Sequence, residues 1–268
     1  MKKLAISLVL LLGLLVAADY GAASFAEYQV SQQVRKQLKL AEDPAVRMHG
    51  FPFLTQAVAG DYKDVEIAAK AVKVGQLNEL GVEANLHHAR LPLNNVVAGK
   101  VDRIDVDELV GRVKLKASDV GRIIGITDLT INPAPKDALE DAPAGGSDSS
   151  GDQAPGGVDN SRATVALDGT IGIAGNNVRV KVIAVLSLLN GQLKIEPKKL
   201  NLADQSLSDI PMGDVFEESI LQQFKTTLDP GMLPFRVTPT AVRAERGALV
   251  IEGVSKNVTI GPGGVQAG

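Results

Sequence analysis

Between Ala45 and Gly261 the sequence keeps returning to one period: apolar side chains at every second position, polar ones between. A period of two places all the apolar residues of a run on one side of an extended strand. From Asp61 to Val74, Val65, Ile67, Ala69 and Ala71 share one face, and Asp64, Glu66, Ala68 and Lys70 share the other. From Glu108 to Ala117, Val113, Leu115 and Ala117 alternate with Arg112, Lys114 and Lys116. The same reading gives strands from Ala45 into the turn at Gly50-Phe51, and from Gly81 to Leu93. In the latter the alternation slips at His87-His88, which suggests a bulge. Further strands cover Ala163–Gly175, Val178–Leu189, Gln192–Leu202, Phe235–Ala244 and Ala248–Gly261. Their links are short, and Asn190-Gly191 is a strong hairpin signal, so the pairing is antiparallel.

Few helices interrupt this pattern. Ala23–Leu38 carries Phe25, Val30, Val34 and Leu38 near one face and contains no Gly or Pro. Ser118 reads as an N-cap for the short helix "DVGRIIGI". A third helix covers about Gly213 to Leu228, with Val215, Phe216, Ile220, Leu221 and Phe224 toward one side. The class is therefore α+β. A long-stranded antiparallel sheet with so few helices must curl around them, or around something else.

Composition narrows the chemistry. Hydrophobic residues make up 45 % of the 268, aromatics only 3 %, so the core is built from Val, Leu, Ile and Ala. The net charge of −3, with no basic stripe and interleaved aromatics, points away from nucleic acid. The absence of cysteine removes disulfides, thiolate metal sites, a cysteine nucleophile and lipid attachment through cysteine. There is no G-x-S-x-G elbow, P-loop or dinucleotide glycine fingerprint. The three histidines, His49, His87 and His88, do not converge as metal ligands must, and neighbours on a strand face opposite ways. The acidic group Asp102, Asp105, Asp107 and Glu108 lacks the spacing of a calcium loop and reads as a solvated turn. The sequence thus shows no catalytic residue, metal site or cofactor.

The amino terminus points to a membrane. Lys2 and Lys3 precede the uncharged run Leu4–Ala18, and Asp19 follows it. This orientation leaves the rest of the chain outside the cytoplasm. Residues 1–22 read either as a cleaved signal, with small residues at Val16-Ala17-Ala18 and Gly21-Ala22-Ala23, or as a retained anchor whose helix continues outward. Residues 23–260 form the folded part and 261–268 a flexible tail. Residues 132–161, rich in Pro, Gly, Ser and Asp, read as a disordered loop. That loop either joins two domains or interrupts one sheet.

One stretch remains: "HGFPFLTQAVAGDYKDVEIAAKAV", His49–Val72. Two of the few phenylalanines flank Pro52 just before a strand. The bland reading is a plug at one end of the sheet; the functional one is an apolar lip. The G-F-P-F-L-T turn, the apolar residues up to Gly60 and the alternating strand from Val65 resemble the LmeA-like phospholipid-binding family of actinobacterial envelope proteins. "LKASDVGRIIG" (Leu115–Gly125) and the "LNGQLKIEP" hairpin (Leu189–Pro197) resemble family segments too. The resemblance implies the tubular lipid-binding fold, a strongly curved antiparallel sheet wrapped around one or two helices. It implies an exported, membrane-associated protein that binds phospholipid, phosphoinositide included, and supports envelope glycolipid or lipoglycan biogenesis without being an enzyme. On this reading acyl chains are buried by Phe51, Phe53, Leu54, Val65 and Ile67 at one end and by Phe216, Ile220 and Phe224 of the late helix. Arg35 and Lys36 read either as partners of a lipid phosphate or as the solvated face of their helix. The competing reading is an anchored scaffold that positions an envelope glycosyltransferase without a lipid ligand.

Overall fold

The computed structural model describes residues 2–74, 77–98, 103–134, 136–139, 160–173, 176–189, 192–202, 214–228, 239–261 and 264–267. One helix, α1 (Lys2–Leu38), runs without a break through the apolar run and the amphipathic segment after it. It is followed by β1 (Ala45–His49), α2 (Phe53–Ala59), β2 (Asp61–Val74), β3 (Leu77–Arg90), α3 (Leu93–Val97), β4 (Ile104–Lys116) and α4 (Ala117–Ile124). Then come β5 (Thr130–Pro133), β6 (Arg162–Ile173), β7 (Asn176–Leu189), β8 (Gln192–Leu202), α5 (Asp214–Phe224) and β9 (Thr226–Leu228). The last strands are β10 (Pro239–Glu245), β11 (Ala248–Gly261) and β12 (Gly264–Ala267).

The strands are long and antiparallel, as the alternation predicts, and they divide into two sheets. The first has the order β1-β2-β3-β4-β11-β10, with β12 added on β11. The second has the order β5-β6-β7-β8-β9. The carboxy-terminal strands therefore return to the sheet begun by the amino-terminal ones. Cross-links hold the two sheets together: Gly247 N–H donates to Ile131 O at 2.7 Å, and Val242 N–H to Asn160 O at 2.8 Å. A shared core joins Leu80, Val82, Leu115 and Leu249 of the first sheet to Leu167, Val180, Leu186 and Ile195 of the second, with Phe224 of α5. A second core lies at the opposite end of the first sheet. There Ala26 and Val30 of α1, Phe53 and Ala57 of α2 and Val96 of α3 cover Val65, Leu86 and Leu109. Much of the apolar face that the sequence left without a cover is thus met by another sheet.

Several local readings change. The GFPFLT segment is a turn with a cis Phe51–Pro52 bond that leads directly into helix α2. That helix stops at Gly60, which takes the left-handed conformation (φ +67°) and donates its N–H to Ala57 O. Ser118 does not cap α4, whose first flanking residue is Lys116 with no side-chain cap. The Ser118 hydroxyl instead bonds to Glu79 Oε2. The late helix ends at Phe224, because Thr226–Leu228 pairs with β8. Asp105, Asp107 and Glu108 lie along β4 and not in a turn; Asp102 is outside the described residues. The glycine-rich end, expected to be a tail, forms β12 against β11, with Ile260 opposite Val265. Residues 140–159 are outside the described residues, but β5 and β6 on either side of them pair, Thr130 with Asp168 and Pro133 with Val165. The strands on either side of the Pro/Gly/Ser/Asp-rich stretch thus belong to one sheet.

The slip at His87-His88 is real but is not an inserted residue. Pairing keeps one register on both sides of it: Asp64 with His87 and Tyr62 with Ala89. His88 takes φ +53°. Asn257 of β11 takes φ +51° at the same level, between the pairs Lys256–Glu108 and Val258–Val106. On one side of this line the buried residues are Val65, Leu86 and Leu109; on the other they are Tyr62, Ala89, Val106 and Val258. The inward phase changes across four neighbouring strands together. His and Asn are among the side chains that tolerate positive φ.

Candidate functional site

Helix α1 reaches the folded part through a buried carboxylate. Asp19 is the first residue after the apolar run. It accepts the N–H of Phe53 at 2.8 Å and of Leu54 at 2.7 Å. Pro52 occupies the N-cap position of α2 and offers no side-chain oxygen, so the free amides at the start of α2 are satisfied from another helix. One residue further, the Tyr20 ring stacks on Phe51 with centroids 6.4 Å apart. Going outward along α1, Glu27 accepts Met48 N–H at 2.8 Å and the Ser31 hydroxyl donates to Pro44 O at 2.7 Å. Strand β1 thus runs antiparallel to α1, and the GFPFLT turn lies at the level of Asp19. Asp19→Ala should destabilise the fold by about 1–2 kcal/mol, the usual loss for a helix cap. A denaturant titration of the full chain in detergent measures it, and Asp19→Asn, which keeps an acceptor, should lose less.

Beyond this base the first sheet's inner face carries a seam. One core ends where α1 ends, and the other begins where the second sheet arrives. Between them is a crevice lined by Val34 and Leu38 of α1, Ile67, Ala69 and Val72 of β2, and Val82 and Ala84 of β3. All seven side chains are aliphatic. The free space is about 10 Å³, room for at most one water. Sites that enclose small molecules usually hold ~300–1,000 Å³. The crevice is therefore too small for a chain-like apolar ligand as it stands, and the end of α1 forms one of its walls. That end is fastened at the surface, where Gln32 and Arg35 each reach Asp43 at 2.8 Å. Such exposed pairs are worth under about 1 kcal/mol each, so the fastening is weak. A larger cleft of about 240 Å³ lies between β8 and α5, but Glu196, Lys198, Glu218 and Lys225 line it and suit it to water.

The residues expected to line an apolar site are not all brought together. Phe53 and Val65 are buried beneath α1 with Tyr62. Ile67 packs at the edge of that core and lines the crevice. Phe51 and Leu54 are exposed beside Asp19. Ile220 and Phe224 are buried in the other core, between the sheets. Phe216 stands on α5, and its side chain is outside the described residues. The sequence reading missed Val34, Leu38, Ala69, Val72, Val82 and Ala84 as a lining. Small aliphatics on three elements carry no motif; only their phase on α1, β2 and β3 signals a shared face. Arg35 is engaged with Asp43, and Lys36 is exposed.

Polar groups sort to the other face of the sheet. Arg112 reaches Glu252 at 2.6 Å, Lys114 reaches Glu245 at 2.8 Å and Lys116 reaches Glu79 at 3.1 Å. Hydrogen bonds from Lys114 and Arg243 hold the Glu245 carboxyl below its usual range. His49 meets Glu66 at 3.2 Å, His88 meets Asp61 at 3.2 Å and His87 approaches Asp64 at 3.8 Å. These exposed partners mark a solvated surface. Inside, the Tyr62 hydroxyl is buried without a hydrogen-bond partner among the described residues, and burial pushes its pKa above the ordinary phenol value.

Compared with known proteins, the chain matches a family model described as LmeA-like phospholipid-binding over residues 17–254. No curated protein and no solved structure matches it.

Proposed function

Since the chain belongs to the LmeA-like phospholipid-binding family, we propose that it takes phospholipid acyl chains into the crevice between α1 and the first sheet, on the outer side of the cytoplasmic membrane. The observation that carries this reading is the all-aliphatic lining of Val34, Leu38, Ile67, Ala69, Val72, Val82 and Ala84 on a sheet whose opposite face is laced with ion pairs. Each methylene removed from water contributes about 0.8 kcal/mol, so roughly ten of them supply the ~8 kcal/mol of micromolar affinity, and the further methylenes of an acyl chain offset the lifting of the end of α1. Val65 and Phe53 continue the apolar path toward the base. Ile220 and Phe224 belong to the core beyond the seam. Phosphoinositide is one candidate ligand. The role we assign is to support envelope glycolipid or lipoglycan synthesis, with an envelope glycosyltransferase as the partner that uses the lipid. The family is described by binding and not by a reaction.

The anchor is retained in this proposal. The helix passes from the apolar run into the folded part without a break, and Asp19 is built into the fold. Cleavage after Ala23 would remove the cap of α2. The expected domain of residues 23–260 is then extended to Asp19 at one end and to β12 at the other, with the low-complexity stretch as an insertion. The test is mass spectrometry of an organic extract of the full chain purified in mild detergent, with native mass spectrometry of the same sample. A stoichiometric phospholipid is expected. A chain that carries none, and gains none from liposomes, would sink the proposal and favour a scaffold.

A further inference from the structure

The base of the domain exposes apolar side chains where the membrane run ends. Tyr20 is 65 % exposed, Phe51 63 %, Leu54 39 % and Val58 82 %. Leu54 and Val58 are four residues apart on α2 and so share one helix face. The Leu54 amide and the Tyr20–Phe51 stack tie that face to the first turn of α1 beyond Ala18. Leu91 N–H donates to Gly60 O at 2.9 Å, which brings the α3 segment alongside, with Leu93 and Val97 exposed. Residues 49–60 and 91–98 contain no Lys, Arg, Asp or Glu, in a chain that is 22 % charged. The charge at this level, Asp19, is buried and bound to amides. Exposed apolar surface of this kind marks a contact, and its position selects the partner. The exposed apolar run Leu4–Ala18 ends one residue before Asp19.

We infer that Tyr20, Phe51, Leu54 and Val58 form a collar seated in the interfacial region of the bilayer that α1 crosses. The occupant is lipid: the first methylenes of the acyl chains and the glycerol ester groups lie against α2, and Tyr20 sits at the headgroup level as interfacial tyrosines do. The inference rests on the retained-anchor reading and not on the crevice. The collar fixes how the domain stands on the membrane.

The test exploits the absence of tryptophan from the chain. Leu54→Trp and Val58→Trp are made singly in the full chain, with Leu189→Trp, an exposed position at the end of β7, as reference. Each is reconstituted in phosphatidylcholine–phosphatidylglycerol vesicles with lipids brominated high in the acyl chain. Tryptophan at 54 and 58 should be blue-shifted and lose roughly half its intensity to bromine, as a side chain ~5–10 Å into the interface does, while position 189 stays unquenched. If the chain floats with the vesicles but 54 and 58 are as unquenched as 189, the collar is wrong and the anchor stands. A blue shift without bromine quenching means protein, such as a second copy, covers the face, and the inference falls. A chain that does not float overturns the anchor reading and the collar with it.

Discussion

Asp119→Ala should lower the thermal midpoint by roughly 10 °C, the equivalent of about 3 kcal/mol in a domain of this size. Asp119 is 0 % exposed. Its carboxylate accepts Glu79 N–H at 2.8 Å, Asn78 N–H at 3.2 Å and Arg122 Nη1 at 2.8 Å. Residues 78 and 79 lie at the start of β3, ahead of Gly81, where the pairing with β4 begins. Asp119 therefore stands in for a neighbouring strand. Removing it takes the acceptor from both part-buried amides, and hydrogen bonds to a charged group are worth about 1.5–3 kcal/mol each. Asp119→Asn keeps an acceptor and should lose less. Ser118→Ala, one residue away and exposed, should stay within about 0.5 kcal/mol. Differential scanning of the three variants decides it, and an unchanged midpoint for Asp119→Ala would show that β3 starts without this support.

Val34→Glu should reduce the phospholipid that co-purifies with the chain by at least about tenfold. Val34 is half-buried on α1 and lines the crevice. In the empty protein a longer side chain there can turn its carboxylate to water. With an acyl chain in place it cannot, and burying the charge costs more than the ~1.4 kcal/mol that a tenfold change requires. Lys36→Glu, on the exposed face of the same helix, should leave the lipid content unchanged. The readout is phospholipid per chain in the organic extract, with circular dichroism to confirm that both variants fold. Normal lipid content in Val34→Glu would place the ligand elsewhere than the crevice.

The strands were legible because alternation is local. β2, β4 and β11 lie where Val65–Ala71, Val113–Leu115 and Leu249–Ile251 put them. The division into two sheets was not, because a period of two tells which face is buried and not what covers it. Helix α2 was hidden for a related reason: its cap, Asp19, comes from a residue 34 positions earlier. Gly60 was the one local signal of its end. The crevice left no motif, since alanine and valine are ordinary on any inner face. The GFPFLT stretch carried the family resemblance, and it marks the base of the domain and not the crevice.

Helix α1 is 37 residues long and unbroken, about 55 Å from end to end. From Asp19 to Val34 it rises about 22 Å along its axis. That makes it a rigid post and not a tether. In the retained-anchor seating proposed above, the crevice stands at a set height above the headgroups and does not swing down to meet a lipid. An acyl chain that reaches it has been drawn clear of the bilayer, so in this geometry loading is extraction, and the traffic between membrane and protein is set by how often the top of the post parts from the sheet.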